Sequence, residues 1–150
     1  MTSAKEKAPP KLTREKLIAL LRADFPQASN AMSNYEIEEV WHGGCRLRHR
    51  FSQTSLRPGG TLSGTTMMSL ADFARYVAVL SAVGWVPLAV TTNLTINFLK
   101  RPAARDLIAE ARLIKLGKRL AVGEVGVRSD GEEDLVAHVT STYSIPAQAG

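Results

Sequence analysis

The sequence predicts an α+β domain in which an antiparallel sheet wraps around one long apolar helix. The first indication is a continuous helical stretch from about Gly64 to Val83, in which most positions are apolar. The second is the remainder of the chain, which is filled by strand-like segments with turn sequences between them. An apolar helix and a half-buried sheet each need a covering layer, so this order favours a sheet packed on the helix.

The chain has 150 residues, 45% of them hydrophobic, which suits one globular domain with a core. Residues 1–35 are predicted to form a polar tail and a helix that begins near Thr13 and is closed by Pro26. Residues 36–150 are predicted to form the α+β domain proper. The apolar residues of the N-terminal helix recur at spacings of three and four, at Leu17, Ile18, Leu20, Leu21 and Phe25.

Five segments have strand patterns. In the first, Cys45, Leu47 and Phe51 alternate with Arg46, Arg48 and Arg50, and this row of arginines is most simply a solvated sheet face. Turns are predicted at Gly117-Lys118 and Asp130-Gly131, which would join the last three strands as hairpins. The later strands are predicted at Leu88 to Leu99, Leu107 to Leu116, Leu120 to Arg128 and Leu135 to Ile145.

Composition limits the environment of the protein. The single Cys45 cannot form an internal disulfide, and the polar start of the chain has no apolar run typical of a signal peptide. We therefore expect a cytoplasmic location. The most apolar stretch, Val77 to Val90, is shorter than the roughly 20 residues that a membrane span needs, so no membrane association is predicted. The net charge of +5 suits an anionic ligand as well as it suits an ordinary soluble surface.

The polar residues of the long helix form one stripe. At about 100° per residue, Thr65, Ser69, Asp72 and Tyr76 fall within an arc of roughly 60°. A carboxylate such as Asp72 is costly to bury unless it is hydrogen-bonded, paired or facing a site. Two structural alternatives to a site are an ion pair between Asp72 and Arg75 and a polar contact across an oligomer interface.

The start of the same helix offers backbone donors. Ser63 is a suitable N-cap, and the amides of Gly64 and Thr65 lie in the first turn, where backbone N–H groups have no intrahelical acceptor. Such amides can polarise a carbonyl group, although ordinary capping explains the pattern as well. Gly64 and Asp72 would lie about 12 Å apart along one helix. If both act on one carbonyl, two antiparallel helices from two chains must supply them, which predicts at least a homodimer.

Three stretches together resemble the hot-dog thioesterases. The run from Thr61 to Asp72 is similar to that family's His-Gly-Gly turn, which is followed eight residues after its first glycine by an acid on the helix. The runs Val90 to Pro102 and Leu116 to Arg119 resemble the family's strand with its Phe-Leu-Arg-Pro ending and its Gly-Arg hairpin. The resemblance covers roughly residues 36 to 146.

The resemblance implies that the protein hydrolyses acyl-CoA or aryl-CoA thioesters as a homodimer or a dimer of dimers. It implies that Asp72 is the general base or nucleophile and that the Gly64 amide polarises the thioester carbonyl. It also implies that CoA lies in a groove between protomers, where Arg101, Lys118 and Arg119 are candidates for its phosphates. The remaining candidates for substrate binding are Ser63, Thr65, Ser69, Tyr76, Arg57 and Asn93.

The sequence departs from the family pattern at three positions. Ser63 replaces the motif histidine, Thr65 replaces its second glycine, and Arg57 stands near an asparagine of many relatives. An altered substrate range is the expected consequence, and loss of activity is the alternative. A non-catalytic acyl-CoA-binding protein and a hot-dog hydratase or dehydratase are therefore the competing functions, and the hydratase is disfavoured because no histidine is paired with a carboxylate in the sequence.

Several other functions receive no support. His42, His49 and His138 lack the spacing of a zinc site, so no metal is predicted. Cys45 has no activating partner and is predicted to be a small core residue. The loop from Arg57 to Gly60 lacks the Walker sequence of a nucleotide hydrolase. No nucleic-acid partner is predicted, because no aromatic residues interleave with the arginine row. No dissociable cofactor is expected beyond the CoA of the substrate.

Overall fold

The computed structural model describes residues 7–24, 34–53, 56–57 and 60–147, without the side chains of residues 56, 57 and 61. Within these residues the chain forms two helices and eight strands. In chain order the elements are α1 (Arg14–Asp24), β1 (Tyr35–Trp41), β2 (Gly44–His49), β3 (Leu56–Arg57), β4 (Thr61–Leu62), α2 (Gly64–Val83), β5 (Val90–Phe98), β6 (Leu107–Leu116), β7 (Leu120–Ser129) and β8 (Leu135–Ser144).

Six strands form one antiparallel sheet in the order β1-β2-β6-β7-β8-β5, and β3 pairs separately with β4. The predicted meander of the last three strands is confirmed. At the first hairpin the Gly117 amide donates to the Leu120 carbonyl at 2.8 Å. At the second, Gly131 has a φ of +84°, a conformation that glycine adopts without steric cost. The strands β1 and β5 are the two edges of the sheet.

The long helix α2 has the predicted bounds and lies against the sheet, which confirms the α+β prediction. Ser63 caps its start, and Gly84 ends it with a φ of +91° and an amide that donates to the Leu80 carbonyl at 2.9 Å. Among the described residues, α2 is the one helix long and apolar enough to cross a membrane, and it is the buried core helix of the domain.

The inner face of the sheet packs on α2 because apolar residues alternate with polar ones along the strands. In β7, Ala121, Val125 and Val127 are fully buried, while Glu124 and Arg128 at alternate positions are partly exposed. Each fully buried valine contributes roughly 1.5–3 kcal/mol relative to an exposed one. The helix side of this contact includes the small residues Ala71, Ala74 and Ala78, all fully buried, which allow the helix to approach the strands closely.

Three strands were not predicted, β1 and the two-residue strands β3 and β4. β1 contains Glu36, Glu38 and Glu39, and its pairing with β2 shifts between Ile37 and Glu39, so the sequence shows no regular alternation. β1 pairs with β2 along the row of arginines, where Glu38 accepts from Arg46 at 3.2 Å and from Arg48 at 3.0 Å. The row therefore lies on the outer face of the sheet, as predicted, and is held in ion pairs.

The N-terminal helix is confirmed from Arg14 to Asp24, while the predicted Phe25 and Pro26 lie outside the described residues. Leu17 is fully buried, and Leu12 and Leu21 are 5% and 6% exposed. The Lys11 amide donates to the Ser81 carbonyl at 2.8 Å. The N-terminal segment thus packs near the carboxyl end of α2 and shares the core of the sheet domain.

Candidate active site

The polar stripe of α2 opens into a depression. Ser69, Asp72 and Tyr76 all line a recess of about 530 Å³, whereas Thr65 is exposed and does not line it. The wall opposite the helix comes from β1, β5, β8 and the segment before β5. The other residues that line the recess are Phe73 from α2 and, on the opposite wall, Tyr35, Ala89, Val90, Thr91 and Tyr143. The structure therefore brings three of the four residues of the stripe together at one recess and leaves Thr65 outside it.

Two hydroxyl groups hold the Asp72 carboxylate. Thr91 Oγ1 donates to Asp72 Oδ1 at 2.9 Å, and the Tyr143 hydroxyl lies 3.1 Å from the same oxygen and 3.0 Å from the Asp72 backbone carbonyl. Within the described part of the chain, no hydrogen-bond donor reaches Oδ2. The carboxylate is thus oriented through one oxygen, while the other has no partner among the described residues.

Arg75 does not neutralise Asp72. Its side chain is fully buried and donates from Nη2 to the Ser141 carbonyl at 3.1 Å. Among the residues that the structure describes, no basic nitrogen lies within 4 Å of the Asp72 carboxylate. The ion-pair alternative raised by the sequence is therefore wrong.

The tyrosines around Asp72 are protonated donors at neutral pH. Burial raises the pKa of the Tyr143 hydroxyl well above its ordinary 10.0, and the same cause raises the pKa of Tyr35 and Tyr76. The Tyr76 hydroxyl donates to the Pro87 carbonyl at 3.1 Å, and the Tyr35 ring stacks on Phe73 with centroids 5.6 Å apart. The depression thus combines aromatic walls with neutral hydroxyl groups.

The start of α2 is capped as predicted. Ser63 Oγ accepts from the Thr66 amide at 3.1 Å and lies 2.8 Å from the Thr66 hydroxyl. Gly64 is the first helical residue, so its amide has no intrahelical acceptor. A Cβ at Gly64 would lie 3.0 Å from Phe98 Cζ, so close packing of the Phe98 ring is one reason for a glycine here.

The other candidates are scattered. Asn93 is exposed on the face of the sheet turned away from α2, because the neighbouring Leu94 and Ile96 pack on the core. Arg101 is exposed beyond β5. Lys118 and Arg119 line a second recess of about 440 Å³, at the carboxyl end of α2, together with Lys11. The side chain of Arg57 lies outside the described residues.

Three residues beside Asp72 were not predicted from the sequence: Thr91, Tyr143 and Tyr35. The available signal was the phase of β8, where Tyr143 shares the inward phase of Val139 and is 2% exposed. A hydroxyl-bearing residue on an apolar phase needs a partner inside the fold.

The remaining cysteine and histidine residues lie elsewhere. Cys45 is a fully buried core residue, as predicted, with its Sγ 3.1 Å from the Ala74 carbonyl, and burial raises its pKa. His138 Nε2 lies 3.1 Å from Glu124. No histidine–carboxylate pair was predicted from the sequence, so this pair is a correction, but it lies on the outer face of the sheet, across from the helix that carries Asp72. No group of three or more metal-ligating side chains occurs in the described part of the chain.

Comparison with known proteins decides the family. A family model of the thioesterase superfamily matches residues 59–136, which span β4, α2, β5, β6 and β7. The chain belongs to the thioesterase superfamily. The predicted resemblance to hot-dog thioesterases and the predicted enzyme class, a thioester hydrolase, are thereby confirmed. In this thioesterase the matched segment contains both Gly64 and Asp72.

Individual relatives agree with the family. The thioesterase is 34% identical over 110 residues to a predicted esterase from Saccharolobus solfataricus, which covers 73% of this chain and 72% of that protein. It is 40% identical in sequence to a predicted thioesterase from a Silicibacter species. The crystal structure of that protein superposes with a TM-score of 0.82, over 95% of this chain and 97% of that one. Zebrafish thioesterase superfamily member 2 shares the fold at 22% identity, with a TM-score of 0.79 over 91% of this chain and 100% of that one.

Proposed function

We propose that this thioesterase hydrolyses acyl-CoA or aryl-CoA thioesters to the free acid and CoA. In this proposal Asp72 activates the attacking water, and the Gly64 amide of a second copy polarises the thioester carbonyl. The observation that carries the proposal is the state of the Asp72 carboxylate, which faces a recess and is oriented by two hydroxyl groups on Oδ1. Its Oδ2 has no donor among the residues that the structure describes.

The chemistry follows from that arrangement. Asp72 Oδ2 accepts a proton from water as the water oxygen bonds to the carbonyl carbon, and the carbonyl oxygen gains negative charge near the Gly64 amide. When the tetrahedral intermediate collapses, the C–S bond breaks, the electron pair leaves on the CoA sulfur, and the sulfur takes up the proton. The products are a carboxylic acid and a free thiol.

The strand β5 supports a site shared by two chains. At one end of β5, Thr91 donates to Asp72, and at the other end Phe98 packs on Gly64. β5 is an edge strand whose Val90 and Phe98 are 56% and 52% exposed, and such an edge is a template for pairing with another strand. Antiparallel pairing of β5 with its copy about a twofold axis would bring Asp72 of one chain beside Gly64 of the other.

Binding of the CoA phosphates is proposed at exposed basic residues. Lys118, Arg119 and Lys11 lie around the second recess, and Arg101 follows β5. These cations lie outside the Asp72 recess, as an extended substrate requires. The homodimer or dimer of dimers, the cytoplasmic location and the absence of a cofactor, nucleic-acid or membrane partner stay predictions.

A thiol-release assay tests hydrolysis. Wild type and Asp72→Asn are incubated with short, medium, long and aryl acyl-CoAs, and Asp134→Asn, which alters an exposed carboxylate, serves as the matched control. Loss of a general base should reduce kcat by about 100-fold or more, while the control keeps wild-type turnover. CoA binding without turnover on any substrate would instead identify a non-catalytic acyl-CoA-binding protein.

Mixing two inactive variants tests the shared site. Gly64→Pro removes the amide hydrogen at the first helical position, where proline fits a helix. Gly64→Ala, which adds a Cβ but keeps the amide, is its control. A hybrid of Asp72→Asn and Gly64→Pro chains contains one intact site if the two groups come from different chains. Random mixing should therefore restore about a quarter of wild-type activity, since half of the dimers are hybrids with one of two sites intact. No recovery after mixing, at concentrations at which the wild type is active, would contradict a site shared by two chains.

A further inference from the structure

Arg75 is a charged residue in the core of the domain that hydrolysis, as proposed, does not use. It is 0% exposed and is the largest fully buried side chain among the described residues. Its Nη2 donates to the Ser141 carbonyl at 3.1 Å, while Nε and Nη1 have no hydrogen-bond partner in the described part of the chain. A guanidinium has five N–H donors, so most of its hydrogen-bonding capacity is unused here.

Such a residue is costly to the fold. A buried cation loses several kcal/mol of hydration, and replacement by an apolar residue of similar volume is often neutral or stabilising. Burial lowers the pKa of Arg75 from its ordinary 12.5, yet arginine stays protonated in proteins. The chain nevertheless makes room for the group, because a Cβ on Gly123 in β7 would overlap Nη1. The cost and the space made for it call for a role.

One side chain, Tyr143, connects the Arg75 guanidinium to the proposed base. The guanidinium carbon is 5.5 Å from the centroid of the Tyr143 ring, within the range of a cation–π contact. The hydroxyl of the same tyrosine lies 3.1 Å from Asp72 Oδ1. Arg75, Tyr143 and Asp72 therefore form a continuous series from the core to the recess.

We propose that Arg75 is a positioning residue for Asp72: it holds the Tyr143 ring in place, and the Tyr143 hydroxyl in turn orients the carboxylate. This inference rests on the proposed role of Asp72 as the base. The other titratable groups facing Asp72 are tyrosines, Tyr35 from β1, Tyr143 from β8 and Tyr76 from α2 itself, and Cys45 from β2 lies near Arg75. All four are neutral at neutral pH because burial raises the pKa of each.

The kcat and KM values of two Arg75 variants separate this role from simple packing. Arg75→Met keeps the length of the side chain without its charge, and Arg75→Gln also keeps a donor for Ser141. Leu80→Met, in the buried part of the same helix, is the control for a disturbed core. Because the Tyr143 hydroxyl no longer orients the base in the Arg75 variants, kcat should fall about tenfold with little change in KM. The control should keep both constants, and a wild-type kcat in a folded Arg75 variant would contradict the inference.

A second measurement does not depend on turnover. Crystal structures of the Arg75 variants and of the control give the distance between the Tyr143 hydroxyl and Asp72 Oδ1, which is 3.1 Å in the wild type. The inference expects this hydrogen bond to be broken in the Arg75 variants and kept in the control. An unchanged hydrogen bond in a folded variant would overturn it. If wild type lacks turnover, the proposed function fails while the structures still test Arg75.

Discussion

The hydroxyl group of Tyr143 lies between two oxygens of one residue, 3.0 Å from the backbone carbonyl of Asp72 and 3.1 Å from its Oδ1. The tyrosine comes from β8 and the aspartate from the middle of α2, 71 residues earlier in the chain. The contact therefore fixes both the backbone and the carboxylate of the proposed base to the sheet. Because burial raises the pKa of the Tyr143 hydroxyl, the group stays protonated and can donate at neutral pH.

Tyr143→Phe should reduce kcat tenfold or more. The change keeps the ring over Arg75 but removes a hydrogen bond to a charged oxygen, which contributes roughly 1.5–3 kcal/mol, and each 1.36 kcal/mol corresponds to a factor of about ten. Steady-state kinetics with the preferred acyl-CoA would measure the loss. Wild-type kcat in this variant would show that the hydroxyl does not orient the base.

Two neighbouring threonines provide a matched pair. Thr91 Oγ1 donates to Asp72 Oδ1 at 2.9 Å, whereas Thr92 Oγ1 donates to the Thr142 carbonyl at 3.2 Å. Valine is close in shape to threonine and suits a strand, so each Thr→Val change removes one hydroxyl with little other effect. Thr91→Val should lower kcat about tenfold and Thr92→Val should not. Equal kcat values for the two variants would contradict the role of Thr91.

Charges on β5 test the proposed dimer. If β5 pairs with its copy along its full length, Asn93 of one chain lies opposite Thr95 of the other on the outer face, where both side chains are exposed. The double change Asn93→Lys with Thr95→Lys then places like charges directly opposite each other, which destabilises the pairing. Asn93→Lys with Thr95→Glu places opposite charges there and is the control.

Sedimentation velocity should show weaker dimerisation for the double-lysine variant than for the control. Activity should fall at low protein concentration and return as the concentration rises, because the dimer re-forms by mass action. Identical sedimentation of the two variants would place the interface, or its register, elsewhere.

The carboxylate of Glu124 should make stability depend on pH. Burial raises the pKa of Glu124, but hydrogen bonds from His138 and Arg112 lower it by more, so the net pKa lies below the ordinary 4.5. A lowered carboxylate pKa stabilises the folded state above pH 4.5, and this contribution is lost as pH falls through the folded pKa.

Glu124→Gln should therefore be less stable than wild type at pH 7, by about 1 kcal/mol, with a difference that shrinks below pH 4.5. Urea unfolding at several pH values would measure it, with the exposed Glu133→Gln as the control. A difference that persisted unchanged at pH 3 would assign the effect to packing.

Local patterns in the sequence were enough to place most of the fold. The apolar run of α2 and the turns at Gly117 and Gly131 have physical causes that act within a few residues, and the structure has the helix and hairpins at these positions. Asp72 could be identified from the sequence because a carboxylate on an apolar helix is costly to bury, whatever the tertiary arrangement. The edge strand β1 was missed because its glutamates and its irregular register hide the period of two.

The sequence by itself thus determined the helix, the meander and the candidate base, since each depends on nearest neighbours along the chain. The tertiary structure decided which residues surround that base. A bulge between Thr91 and Asn93 reverses the phase of β5, so Thr91 reaches Asp72 while Asn93 lies on the outer face. Tyr143 contacts Asp72, and Arg75 donates to Ser141, between residues that are 71 and 66 positions apart in the chain. Contacts between residues so far apart produce no local pattern in the sequence.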